Sequence, residues 1–265
     1  MLQLGWFSTG RGPGSRGLLT FVQERILRGE IDARIQFVFS NREPGEHEGS
    51  DEFFKLVRGY GLPLVTHSSR RFRRTVGADF ASHRSEYDQQ VMERLKGYKP
   101  DLCVLAGYML ILGPEMCQRY TLLNLHPALP WGPTGEWQDV IWELIRTHAS
   151  ETGAMVHLAI EEVDRGPVLS YFSIPIQGGP FAPLWREAQG VSIEELKATS
   201  GEELPLFKLI RQEEYRREPH LLAESIKAVA RGVVRIQGGN VLDSKGNVIQ
   251  GHCLNSEIEA ALKAS

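Results

Sequence analysis

Asn124 and His126 stand two residues apart in Leu122-Leu123-Asn124-Leu125-His126-Pro127, where an apolar run meets an amide, an imidazole and a proline. Strand alternation puts the two polar side chains on the same side. In open α/β sheets, ligands gather beyond the carboxyl ends of the strands, the position expected for both. Taken alone, the pair reads as a strand cap and a turn residue. Asp164 lies in the polar turn Glu161-Glu162-Val163-Asp164-Arg165-Gly166-Pro167 between two apolar runs, and by itself it suits turn geometry. An amide, an imidazole and a carboxylate converging on one cleft would supply an oxyanion donor, a proton handler and a group to orient it.

The segment Gly10-Arg11-Gly12-Pro13-Gly14-Ser15-Arg16-Gly17 follows the first apolar run and precedes Leu18, Leu19, Val22 and Ile26 at helical spacing. Gly12, Gly14 and Gly17 match the glycine pattern of a dinucleotide loop in the strand-to-helix context that pattern requires. Amides at a helix N-terminus bind phosphate whether it belongs to a dinucleotide, a nucleotide or a sugar phosphate; a merely permissive turn is the alternative. A dinucleotide site also needs an acid at the end of the second strand, and Phe39-Ser40-Asn41 offers none. The sequence has no Gly-Lys-Ser or Gly-Lys-Thr, which disfavours a nucleotide P-loop. His83 and His148 read as solvated, and His67 has no evident partner in its basic loop.

Apolar runs that alternate with helix-period segments predict a Rossmann-like α/β fold, a mostly parallel sheet with helices on both faces. Strands are expected at 2–8, 34–40, 62–66, 102–106, 122–125, 154–160 and 168–176, with 102–106 central. Helices are expected after the glycine loop and at 51–60, 87–96 and 137–147. The last two strands are too close for a crossover of roughly a dozen residues, so they should pair antiparallel and make the sheet mixed. Residues 177–200, which contain Gly-Gly-Pro-Phe-Ala-Pro, read as a linker or surface insertion. Helices at 203–217 and 219–231 follow, the second stopped by Gly232, and 233–265 reads as a small β meander and tail of one unit spanning 1–265.

Composition narrows the classes. Thirty Lys+Arg against 33 Asp+Glu give a net charge of −3, so no global field attracts nucleic acid or an anionic membrane, the basic run Arg70-Arg71-Phe72-Arg73-Arg74 being a local exception. The stretch 102–112 is well short of the roughly 20 apolar residues of a membrane span, and the N-terminus lacks the pattern of a signal peptide. Cys103, Cys117 and Cys253 form no Cys-x-x-Cys pair, so neither a disulfide framework nor a zinc site is indicated. A cytoplasmic protein is expected, monomeric or homodimeric, with small-molecule substrates and no metal.

Val104-Leu105-Ala106-Gly107-Tyr108-Met109-Leu110-Ile111-Leu112, Asn124-Leu125-His126-Pro127-Ala128-Leu129-Pro130, Gly153-Ala154-Met155-Val156-His157 and Val163-Asp164-Arg165-Gly166-Pro167 follow one another in an order that resembles the phosphoribosylglycinamide formyltransferases of purine synthesis. The glycine loop, Phe39-Ser40-Asn41 and Arg211-Gln212-Glu213-Glu214-Tyr215 before Pro219 fall in the right order as well. The resemblance implies the formyltransferase fold and transfer of a formyl group from 10-formyltetrahydrofolate to glycinamide ribonucleotide, with Asn124, His126 and Asp164 catalytic. It implies a folate site at Met109, Leu110, Ile111, Leu112, Ala159, Ile160 and Val163, with Arg84 near the formyl end. It implies an acceptor site at Gly12, Gly14, Ser15, Arg16, Arg211 and Glu214.

Departures from the family pattern fall in the ligand walls. The glycine loop is about two residues longer and carries Arg16-Gly17 where the family has Asn; Leu110 stands for a usual Arg, and Met155 for Thr or Ser. The run after His126 is shortened and continues as Trp131-Gly132-Pro133-Thr134-Gly135-Glu136-Trp137. Four alternatives therefore stay open: another amine acceptor such as an amino sugar nucleotide, water as acceptor, an NAD-dependent oxidoreductase built on the glycine loop, and a non-catalytic folate- or phosphate-binding relative.

Overall fold

The structure is a computed structural model that describes residues 1–77 and 80–264; of the expected unit 1–265, residues 78, 79 and 265 lie outside the described residues. The chain opens with β1 (Leu2–Phe7), α1 (Pro13–Leu27), β2 (Ala33–Ser40), α2 (Glu48–Gly59) and β3 (Leu64–Thr66). It continues through α3 (Ser69–Val76), α4 (Arg84–Leu95), β4 (Leu102–Leu105), α5 (Pro114–Arg119) and β5 (Leu122–His126). Then come α6 (Trp137–Arg146), β6 (Glu151–Leu158), β7 (Val168–Pro175), α7 (Phe181–Ala188), α8 (Ile193–Thr199), α9 (Pro205–Tyr215) and α10 (Glu218–Ala230). The chain closes with β8 (Val234–Gln237), β9 (Asn240–Asp243), β10 (His252–Cys253) and α11 (Asn255–Ala264).

Among the described residues, eight strands form one sheet in the order β10-β7-β6-β5-β4-β1-β2-β3, and β8 pairs with β9 apart from it. β1 to β5 run parallel, whereas β6 is antiparallel to both β5 and β7. The mixed sheet expected from the short connection between the last two long strands is therefore present, with β4 inside it. Both faces are buried, as a parallel sheet requires. On one face Leu4, Trp6, Val104, Leu123 and Val156 pack under α1, α2 and α10. On the other, Phe7, Phe37, Phe39, Leu105 and Leu122 meet Tyr87, Val91 and Leu95 of α4.

The stretch 177–200 departs from the linker expectation. It folds into α7 and α8, whose Phe181, Trp185, Ala188 and Leu196 join a separate apolar cluster with α6 and α9. Gly178-Gly179-Pro180 provides only the entry turn, and the Trp185 indole nitrogen donates to the Ile176 carbonyl at 2.5 Å. The tail is likewise more than a meander. β8 and β9 form a hairpin, but β10 adds to the edge of β7 and α11 packs behind it, with Ile258 buried. No helix among the described residues is long and apolar enough to cross a membrane.

Because Trp185 is buried and hydrogen-bonded, Trp185→Ala should destabilise the protein by about 3–5 kcal/mol, read as a shift in the urea midpoint at constant slope. A surface insertion would tolerate the change within about 0.5 kcal/mol.

Candidate active site

The register between β5 and β6 assembles the polar centre. Asn124 lies directly opposite His157, and His126 opposite Met155. Paired residues and alternate residues share a face, so Asn124, His126 and His157 all project from the side opposite Leu123 and Val156. The segment 159–167 then folds back over these strands and brings Asp164 onto them. Two backbone features make that possible. Asp164 is held at φ 56°, a left-handed conformation that Asp adopts more readily than most residues. Gly166 runs so close to β6 that a Cβ there would lie 1.8 Å from the Leu158 carbonyl oxygen, so no larger residue fits.

The Asp164 carboxylate is the hub. Its Oδ1 accepts from Asn124 Nδ2 at 3.2 Å and lies 3.4 Å from His157 Nε2, while Oδ2 lies 3.5 Å from His126 Nδ1. His157 Nδ1 sits 2.9 Å from the Leu158 carbonyl; a carbonyl only accepts, so that nitrogen carries the proton. The His157 Nε2 lies 3.2 Å from Asn124 Nδ2 as well as 3.4 Å from Asp164 Oδ1. His126 is almost fully buried, with Nε2 3.3 Å from the Pro133 carbonyl. Both of its nitrogens thus face acceptors, which suits the doubly protonated ring. Burial nevertheless pushes the His126 pKa below its ordinary value, with Asp164 and the Pro133 carbonyl opposing it. For Asp164, burial acts upward, but the His157 ring, the His126 charge and the Asn124 amide outweigh it and hold the carboxyl below the usual range.

This centre lies in the wall of a cavity of about 950 Å³. Part of its lining is apolar, made by Met109, Leu110, Ile111 and Leu112 from the loop after β4 and by Ala159, Ile160 and Val163. Gly12, Gly14 and Ser15 at the N-terminus of α1, Arg11 and His47, and Arg211, Tyr215 and Glu218 also line it. The His47 Nδ1 accepts from the Gly49 amide to cap α2, so its neutral ring carries the proton on Nε2.

Three expected residues are not on the cavity wall. Arg84 turns along its own helix and makes a two-point contact with buried Asp88, at 3.1 and 2.7 Å, one helical turn on. Asp88 also accepts the Gly113 amide at 2.7 Å, so this pair anchors the end of the apolar loop from behind. Arg16 reaches sideways to the Gly49 carbonyl at 3.2 Å, and Arg11, earlier in the extended loop, lines the cavity instead. Glu214 is fully buried, its Oε1 accepting from Thr152 Oγ1 at 2.5 Å and its Oε2 without a hydrogen-bond partner. Burial and the nearby Glu218 push its pKa up to about 8, with the Thr152 hydroxyl and Arg211 acting the other way. Sequence reasoning missed His157 as a site residue, although a histidine inside the apolar run Ala154-Met155-Val156-His157-Leu158 was the available signal. It also missed Arg11, His47, Trp137, Tyr215 and Glu218, which only the fold brings together.

The formyl transferase family matches residues 19–179, more than half of the chain. The chain belongs to that family. As a formyltransferase it is similar to the phosphoribosylglycinamide formyltransferase of Escherichia coli K12, 28% identical over 173 residues that cover 64% of this chain and 72% of that protein. The enzyme of the same name from Schizosaccharomyces pombe is 29% identical over 175 residues, covering 63% and 80%. In fold it resembles the Coxiella burnetii phosphoribosylglycinamide formyltransferase, with TM-score 0.67 at 20% identity, covering 95% of this chain and 98% of that one. A Burkholderia mallei formyltetrahydrofolate deformylase has TM-score 0.59 at 19% identity, covering 91% and 69%. Membership sets aside the oxidoreductase reading, in keeping with the absence of an acid at Ser40-Asn41. The α9–α10 wall of this formyltransferase lies outside the matched segment.

Glu214 gives a pH test of the geometry. A carboxyl whose folded-state pKa is raised from 4.5 to about 8 contributes stability that is fully present below the lower value and lost as pH rises through the upper one. Melting temperature should therefore fall between about pH 5 and 8 in the wild type and fall less in Glu214→Gln, which keeps the shape of the neutral acid. Equal slopes would show that Glu214 is not buried as described.

Proposed function

We propose that this formyltransferase moves the formyl group of 10-formyltetrahydrofolate to the amine of glycinamide ribonucleotide, a step of purine biosynthesis, and that Asn124, His126 and Asp164 carry the reaction. The observation that supports this most is the Asp164 carboxylate set against Asn124, His126 and His157 in the wall of one cavity that the apolar loop after β4 and the glycine-rich start of α1 also line. The names of the E. coli and S. pombe relatives point to the same acceptor.

The apolar loop Met109 to Leu112 suits a flat folate ring. The amides at the start of α1, with Arg11 and His47, suit the acceptor phosphate. The amine nitrogen attacks the formyl carbon, a C–N bond forms and the carbonyl electron pair moves onto oxygen. Collapse restores the carbonyl, breaks the bond to the folate nitrogen, and leaves a formamide and tetrahydrofolate; one proton leaves the amine and one arrives on the folate nitrogen.

Asn124 Nδ2 lies 3.2 Å from Asp164 Oδ1 and 3.2 Å from His157 Nε2. The amide nitrogen carries two protons, so Asn124 can keep one on the Asp164 carboxylate and turn the other to the developing oxyanion. His126 needs its second proton to act beside Asn124, and Asp164 is the charge that favours it against burial. Asp164 is too weak a base to take the amine proton and keep it, so its role is electrostatic.

Purified protein with 10-formyltetrahydrofolate should formylate glycinamide ribonucleotide. Asn124→Ala should lower kcat by about 10²- to 10³-fold, the usual effect of losing one oxyanion donor, with little change in KM. Asp164→Asn should lower kcat and shift the His126-dependent limb of the pH profile toward lower pH. Wild type inactive on glycinamide ribonucleotide but active on another amine would correct the acceptor; inactivity on every amine, with folate still bound, would overturn the reading.

A further inference from the structure

The wall formed by α9 and α10 has an arrangement that the family match does not cover. The Arg211 guanidinium lies 4.9 Å from the ring centre of Trp137 and 4.9 Å from that of Tyr215, and it is ion-paired with Glu218. Stacking on two rings fixes the guanidinium plane, and the guanidinium in turn fixes the carboxylate. Glu218 is the first residue of α10, followed by Pro219; an acid in a first helical turn is a favourable placement. Glu214, one turn earlier, cannot serve the cavity because it is fully enclosed.

The charge on this wall decides what it can bind. With Arg211 committed to Glu218, the wall presents no spare cation for a phosphate, which leaves the phosphate to the glycine loop, Arg11 and His47. What it does present is acceptors. Glu218 Oε2 is only loosely held by Arg211, at 3.5 Å. Glu136 is exposed on the same cavity, and Gln138 Oε1 is buried there without a hydrogen-bond partner. Unmet acceptors call for a ligand rich in O–H and N–H donors.

We infer that Glu218, clamped by Arg211 between Trp137 and Tyr215, is a specificity-determining residue that accepts hydrogen bonds from the hydroxyls of a sugar in the acceptor, in place of the enclosed Glu214. This deepens the proposed function and rests on it for the identity of the acceptor.

The test compares wild type, Glu218→Gln and Glu214→Gln on glycinamide ribonucleotide and on its analogue lacking both ribose hydroxyls. Wild type should prefer the hydroxylated acceptor by ~10- to 100-fold in kcat/KM, the worth of a hydrogen bond to a charged group. In Glu218→Gln the KM for the acceptor should rise, the preference should shrink, and the KM for folate should stay unchanged. Glu214→Gln should keep the wild-type preference. A preference that survives Glu218→Gln, or that Glu214→Gln abolishes, overturns the inference. If wild type formylates neither compound, the acceptor reading has failed, and calorimetry with ribose 5-phosphate against its 2,3-dideoxy form decides the inference separately: binding by wild type that favours ribose, with the difference lost in Glu218→Gln, supports it, and no difference or no binding overturns it.

Discussion

A carboxylate taken out of water must be met by donors, and the geometry around Asp164 follows from that need. Its donors come from Asn124 and His126 on one strand and His157 on the next, so the carboxylate reads the register of β5 against β6. A slip of one residue in β6 would turn His157 to the apolar face, and a slip in β5 would turn Asn124 and His126 there, either of which strips Asp164 of partners. The antiparallel strand inserted beside a parallel sheet is thus what makes this centre possible: it places a second polar residue directly opposite the first.

The cavity divides its work by physical chemistry. Its apolar loop is held from behind by a buried ion pair, Arg84 with Asp88, whose carboxylate fixes the backbone at Gly113. Its polar lining combines the amides at the start of α1, Arg11 and a histidine whose tautomer is set by its capping role. In the proposed reaction the apolar loop takes the donor and the polar lining the acceptor, with Asn124 and His126 serving the formyl group. Burial depresses the His126 pKa while Asp164 opposes the shift, so a small change in the carboxylate's surroundings alters the fraction of the ring that is charged.

Much of this was legible in the chain. Apolar runs separated by helix-period segments gave the β1 to β5 layer, and the short gap after β6 gave its antiparallel pairing with β7. The failures share a cause. Residues 177–200 carry glycine and proline at their start, and those local signals hid Phe181, Trp185 and Leu196, which are apolar at helical spacing and find burial only against α6 and α9. Arg84, Arg16 and Glu214 are polar residues near the right elements, but a long side chain can point along its helix, sideways or inward, and sequence spacing does not choose among these.

The sequence alone determined that Asn124 and His126 share a strand face, that a glycine loop opens α1, and that Asp164 sits in a turn which Gly166 and Pro167 shape. These are properties of neighbours along the chain, governed by backbone geometry. Tertiary structure alone decided that His157 faces Asn124, that the 159–167 segment folds back over both, that Glu214 is sealed in while Glu218 faces the cavity, and that Arg11 replaces Arg16 on its wall. Each depends on contacts between residues far apart in the chain, where packing and the demand that buried charges be paired select one arrangement among several that local preferences allow equally.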